Sequence, residues 1–199
     1  MPRALRDEQP GMTYHVTSHA VADTQLVRND GDRERFVAQL QAVAESLGWT
    51  CLAMCLLDTH YHLLVTISEA NLARGMQRLN GSYAQFFNLK YGRKVHLFGA
   101  RYYGGKVLSP GHLLMALRYI ARNARDKGAD PARYPWSSYP GVIGTRPCWS
   151  FIAKTSVLEL FGSAEVAVRM LRDFIEEERR PAEPGGGGEG TGGVRPRPP

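Results

Sequence analysis

A chain of 199 residues, 43% hydrophobic and 22% charged, is long enough for one domain with a sizeable core and too short for two large ones. No run of about 18 apolar residues offers a membrane-spanning helix. The first ten residues, with Arg3, Arg6, Asp7 and Glu8 between two prolines, resemble neither a secretory nor a transit signal, so a cytoplasmic protein is expected. Three cysteines without a Cys-x-x-Cys pair favour reduced, mostly buried thiols over a disulfide frame, and a net charge of +6 favours a polyanionic partner.

Residues 12–19 alternate around Tyr14, Val16 and Thr17 as a strand does. Residues 30–47 carry Phe36, Val37, Leu40, Val43, Ala44 and Leu47 at helical spacing, and Gly48 suits the C-cap. Residues 49–57 form an apolar run broken only by Thr50, and 60–67 continue in strand-like composition, with Asp58-Thr59 as a tight hairpin turn. A second helix is predicted over 71–91, where Leu72, Met76, Leu79, Tyr83, Phe86 and Phe87 recur before Gly92. Residues 97–108 have strand character weakened by three glycines, and Ser109-Pro110 opens a third helix over 111–127 with Leu113, Leu117, Ile120 and Ala124 on one stripe.

The order β-α-β-β-α-β-α predicts an α+β fold, a mostly antiparallel sheet with helices packed on one face and the other face open to a ligand. An N-terminal arm (1–10) precedes the main domain (11–144). A C-terminal helical appendage (145–180) is expected from short helices at 157–161 and 166–175. The tail (181–199), in which twelve of nineteen residues are Gly or Pro, is expected to be disordered.

Charge is unevenly spread. Residues 70–127 hold eleven lysines and arginines against the single acid Asp126, so this stretch carries +10 and the remainder −4. Aromatic residues including Tyr83, Phe86, Tyr102 and Tyr103 are interleaved with these cations, a mixture that neutralises phosphates and stacks on unpaired bases. A solvated basic helix face over core aromatics would give the same composition. Arg78, Arg93, Lys94, Arg101 and Arg122 are the candidate phosphate contacts, with Arg101 preferred, and Tyr83 and Tyr102 are candidate base contacts.

His60 and His62, two apart in a strand, project from one face while Tyr61 and Leu63 point the other way. Two such imidazoles can clip a metal ion, though strand histidines are as readily hydrogen-bonded residues of a sheet. In the third helix Tyr119 and Asn123, at i and i+4, are stacked on one face. An amide oxygen could complete a metal site with the imidazoles, and a phenol one turn away could attack a polarised phosphate. His15 and His19, four apart in the first strand, read as sheet or substrate-contact residues.

At this point a family resemblance becomes specific. The segment from Leu57 through His60-Tyr61-His62 to Val65 resembles the His-hydrophobic-His strand of HUH single-tyrosine transposases, in particular the REP-associated tyrosine transposase branch. Tyr14-His15-Val16-Thr17 is similar to the family's first strand, the stretch from Ser82 to Asn88 with Gly92-Arg93 to its middle helix, and the stretch from Leu97 to Tyr102 to its Leu-Phe-x-x-Arg-aromatic signature. Arg118 to Asn123 resembles the helix of the nucleophilic tyrosine, and Tyr134 to Tyr139 its Pro-Trp-Ser-Ser-Tyr segment. The chain departs from the pattern at Asn123-Ala124, where Asn-Pro is usual, and at Gly99-Ala100, where Gln-Gly is usual.

The resemblance implies a ferredoxin-like core with His60, His62 and Asn123 as ligands of Mg²⁺ or Mn²⁺ and Tyr119 as nucleophile. It implies cleavage of single-stranded or hairpin DNA through a 5′-phosphotyrosine link with release of a 3′-OH, and rejoining by the reverse step without ATP. A monomer or homodimer is compatible with it. Two alternatives remain, a domesticated protein of the same fold that binds DNA without cutting and a metal-dependent hydrolase of small phosphoesters.

Overall fold

The computed structural model describes residues 8–177. The expected disordered tail and most of the expected N-terminal arm lie outside them. Four strands, β1 (Thr13–His19), β2 (Thr50–Leu56), β3 (His60–Thr66) and β4 (Tyr103–Lys106), form one antiparallel sheet in the order β2-β3-β1-β4. The helices α1 (Asp30–Leu47), α2 (Leu72–Lys90), α3 (Pro110–Arg122), α4 (Tyr139–Val142), α5 (Lys154–Glu159) and α6 (Ala164–Glu176) surround it. No helix among the described residues is long and apolar enough to cross a membrane.

The ends of the helices are set by local chemistry. The Asn29 side chain accepts from Asp32 N at 3.1 Å to start α1, and Gly48 ends it at φ 64°, a left-handed conformation that costs glycine little. For α3 the cap is Ser109, whose hydroxyl accepts from His112 N at 3.1 Å, with Pro110 in the first turn.

The strand period assigns the two faces of the sheet. Tyr14, Val16 and Ser18 of β1 stand opposite Val65, Leu63 and Tyr61 of β3 and face α1 and α2. There the Tyr61 ring lies 4.7 Å from Phe36, and its hydroxyl donates to Asn80 Oδ1 at 2.5 Å. His15, Thr17 and His19 stand opposite Leu64, His62 and His60 on the second face. That face is not wholly open as expected: α3 packs across β2 and β3, closing with Leu117 and Ala121 over Leu52 and Ala53. A cavity over β1 and the first half of β3 remains on this face.

The expected strand 97–108 is cut to Tyr103–Lys106, although Phe98 still makes a single bridge to Ala20. Gly99 N donates to His19 O at 3.2 Å and Val21 N to Leu97 O at 2.9 Å, holding this stretch against the end of β1, where a Cβ on Gly99 would lie 3.3 Å from Val21 Cα. The expected helix 111–127 is α-helical only to Arg122 and continues as a 3-10 turn over Asn123–Lys127. The change comes where Asn123 Nδ2 turns back onto the Tyr119 carbonyl at 2.8 Å.

The free edge of β2 is covered by later segments rather than left as an open ladder. Leu56 N donates to Trp136 O, Ser138 N to Met54 O and Ala153 N to Cys51 O, at 2.8 to 2.9 Å. Phe151, Ile152, Val157, Leu171 and Ile175 are buried in the same core as the sheet. Arg118 and Arg122 of α3 donate to the carbonyls of Glu177 and Ile175, capping the end of α6.

Two carboxylates, the buried Asp32 and the partly buried Asp58, tie the layers. Asp32 accepts from Arg28 N, the Tyr91 hydroxyl and Lys90 Nζ at 2.8, 2.7 and 2.6 Å. Asp58, in the β2–β3 turn, accepts from Arg33 at 2.7 Å and from Lys127, just past Asn123, at 2.6 Å. Burial pushes both carboxyls up, but the lysine partners, with Tyr91 for Asp32 and Arg33 for Asp58, outweigh it and hold them below the usual carboxylate range. A carboxyl depressed on folding contributes stability that is present above its unfolded pKa, about 4, and lost as pH falls through the folded value. Urea midpoints should therefore fall steeply below pH 4, and less steeply in Asp32→Asn.

One α2 glycine is fixed by packing. A Cβ on Gly75 would lie 2.1 Å from Trp49 Cζ2, and Trp49 is itself pinned by its Nε1 donating to Asn71 Oδ1 at 2.7 Å. Gly81, in the same helix, meets nothing within 4 Å. Despite the better helix propensity of alanine, Gly75→Ala should lose about 1–3 kcal/mol in urea unfolding, whereas Gly81→Ala should gain up to about 1 kcal/mol.

Candidate active site

The pairing of β1 with β3 builds a cluster of four imidazoles on the second face. His62 is 3% exposed; its Nδ1 lies 2.9 Å from Thr17 Oγ1 and 3.2 Å from His15 Nε2. The rings of His19 and His60 stack at 4.6 Å, and those of His60 and His62 meet edge to face at 5.1 Å. Half-buried His60 has Nδ1 3.1 Å from Thr59 Oγ1.

Burial dominates the electrostatics here. It lowers the His62 pKa to about 3, with the neighbouring His60, His15 and His19 adding to the effect, and it lowers His60 with help from His19. His15 is lowered by burial and by His112. His15, His60 and His62 are therefore uncharged imidazoles at neutral pH, the form that has a lone pair to offer a metal ion.

The helix α3 brings Tyr119 and Asn123 to this cluster. The Tyr119 ring stands edge-on to His62 at 5.2 Å and to His15 at 5.6 Å, yet the residue is 54% exposed. Asn123 is buried; its Nδ2 donates to the Tyr119 carbonyl at 2.8 Å, and its side chain lies near enough to His60 and His62 to favour their protonation slightly against the larger effect of burial. A cavity of about 440 Å³ lined by His15, Thr17, His60, His62, Arg101 and Tyr119 opens in front of the cluster.

The donor set fits a divalent metal ion. Nε2 of His62 is buried without a hydrogen-bond partner among the described residues, and the Asn123 side chain lies beside both rings. Among the described residues there is no cluster of three or more His, Cys, Asp or Glu arranged for a metal, so a site here depends on the amide as third ligand.

The candidate DNA contacts scatter. Arg101 lines the cavity and also a larger adjoining one of about 1080 Å³, shared with Lys94 and Tyr102. Arg78 donates to Ser46 Oγ and Arg93 to Thr24 Oγ1, away from the cluster. Arg122 is occupied by the end of α6. Tyr83 is a correction: it is fully buried, its hydroxyl donating to Leu26 O at 2.9 Å, so it cannot stack on a base. Thr17 and His15 were not foreseen as partners of His62; the signal is the odd-numbered parity of 15, 17 and 19, which becomes readable once β1 is paired with β3. Tyr103, 68% exposed, also lines the cavity.

Comparison with known proteins agrees with this architecture. The family model for IS200-like transposases matches residues 8–123. A solved REP-associated tyrosine transposase bound to a REP hairpin superposes with a TM-score of 0.60 at 15% identity, over 76% of this chain and 90% of that one, a likeness of fold. A Deinococcus radiodurans R1 protein assigned as a transposase aligns over 64% of this chain and 99% of its own, with 14% identity and a TM-score of 0.42. No curated protein matches the chain. The family match takes in the whole sheet and α3 and spans more than half of the sequence, and on that ground the chain belongs to the IS200-like transposase family.

Proposed function

We propose that this transposase-family protein cleaves and rejoins single-stranded or hairpin DNA with Tyr119 as nucleophile. The observation that carries the reading is the exposed Tyr119 phenol edge-on to His62, one helical turn from the buried Asn123 amide that approaches both motif histidines. The family's structural neighbour bound to a REP hairpin supports DNA as the partner.

In this reading His60, His62 and Asn123 hold a divalent metal; nitrogen ligands favour Mn²⁺ and cellular abundance favours Mg²⁺. When bound, the ion supplies Lewis-acid polarisation of the scissile phosphate. Arg101, at the rim of the cavity, neutralises a backbone phosphate and sets the strand's position. Tyr119 Oη loses its proton and forms a bond to phosphorus as the P–O3′ bond breaks; the 3′ oxygen leaves and takes up a proton, leaving a 5′-phosphotyrosine. Attack by a 3′-OH on that link reverses the step and joins strands. Rigid placement of Tyr119 beside the imidazoles supplies orientation that free reactants lack.

With hairpin-bearing single-stranded DNA and Mn²⁺, wild-type protein should give nicked product and a covalent adduct on a denaturing gel. Tyr119→Phe should lower cleavage by about three orders of magnitude or more while DNA affinity stays within about three-fold. His62→Ala should lose metal-dependent cleavage and keep DNA binding. Tight binding with no cleavage under any divalent metal would replace this reading with a non-cleaving DNA-binding protein, and turnover of a small phosphodiester that survives Tyr119→Phe would replace it with a hydrolase.

A further inference from the structure

Both motif histidines have the same nitrogen engaged. Thr17 Oγ1 lies 2.9 Å from Nδ1 of His62, and Thr59 Oγ1 lies 3.1 Å from Nδ1 of His60. His62 Nδ1 has a second neighbour, His15 Nε2 at 3.2 Å. Its other nitrogen, Nε2, is buried with no partner among the described residues.

An uncharged imidazole carries one proton, on one nitrogen or the other, and the hydrogen bond at one nitrogen decides what the other can do. A proton on Nδ1 of His62 is shared between Thr17 and His15. A proton on Nε2 would be a buried donor with nothing to accept it, which is the costlier arrangement. We infer that Thr17 is a positioning residue: with His15 it accepts the Nδ1–H of His62 and so leaves the lone pair on the buried Nε2, while Thr59 engages the same nitrogen of His60.

The sheet supplies the means. Thr17 stands directly opposite His62 in the β1–β3 pair, so its hydroxyl reaches across one ladder position, and Thr59 is the residue of the hairpin turn immediately before His60. Hydrogen bonds of this kind on the outer nitrogen orient metal-binding histidines and are worth 10–100-fold in affinity. The inference rests, for its consequence, on the metal-assisted reading of the site.

Valine at position 17 keeps shape and strand preference while removing the acceptor, and serine restores it. In metal-free, ¹⁵N-labelled full-length protein at neutral pH, long-range ¹H–¹⁵N correlations should give His62 the signature of the Nδ1–H tautomer, assigned by its loss in His62→Gln. Thr17→Val should yield a mixture of tautomers and weaken Mn²⁺ binding, followed by electron paramagnetic resonance, by about 10–100-fold, with Thr17→Ser within about three-fold of wild type. A wild-type Nε2–H signal would overturn the inference. So would a Thr17→Val protein that keeps either the wild-type tautomer or the wild-type Mn²⁺ affinity. Wild-type protein with the Nδ1–H signal and no Mn²⁺ uptake would uphold the orientation of His62 and defeat the metal-assisted reading instead.

Discussion

The antiparallel register of β1 on β3 is the constraint from which the rest of the site follows. Placing Thr17 against His62 and His19 against His60 puts an imidazole cluster on one face of the sheet and the apolar residues Tyr14, Val16, Tyr61 and Leu63 on the other. A slip of one position would send the histidines into the core beneath α1 and α2. The core therefore defends the site: the same alternation that buries Tyr61 against Phe36 fixes where His60 and His62 project. Asp58 adds a second tie, joining the turn that precedes His60 to Lys127, just beyond Asn123.

The cluster has an unusual charge balance for a candidate metal centre. Burial and neighbouring imidazoles depress His15, His60 and His62, and no carboxylate among the described residues lines the cavity. In the proposed reading, three neutral ligands would leave the charge of a divalent ion undiminished toward a phosphodiester, with Arg101 as a cation at the rim. Such a site favours an anionic ligand over a neutral one. The helix α3 completes it from the opposite layer, and its own position depends on α6, whose last carbonyls take the guanidinium groups of Arg118 and Arg122.

Much of this was legible from residue order. The helix at 30–47 was read with its observed bounds because its apolar residues recur at helical spacing and Gly48 closes it, and the His60/His62 and Tyr119/Asn123 spacings were readable because strand and helix periods are local. What was not legible is what long-range pairing decides. Thr17 and His15 look like ordinary strand residues until β1 lies beside β3, and the cations of α3 cannot be divided between DNA and the end of α6 by composition alone. Tyr83 was a different failure. Its place on the stripe with Leu72, Met76, Leu79 and Phe87 already marked it as core, and the basic surroundings obscured that. β4 is shorter than its strand-like composition suggested because the stretch around Gly99 lies against Val21 at the end of β1 instead of extending the strand.

The claim that Tyr119 is the attacking residue of a single site with His60, His62 and Asn123 meets its most direct test in the covalent adduct itself. After reaction with hairpin-bearing single-stranded DNA and Mn²⁺, nuclease and protease digestion followed by tandem mass spectrometry should find a nucleotide joined through its 5′-phosphate to Tyr119. A nucleotide on Tyr103, the other exposed phenol of the same cavity, or an unmodified Tyr119 in protein that has cut its substrate, would contradict it.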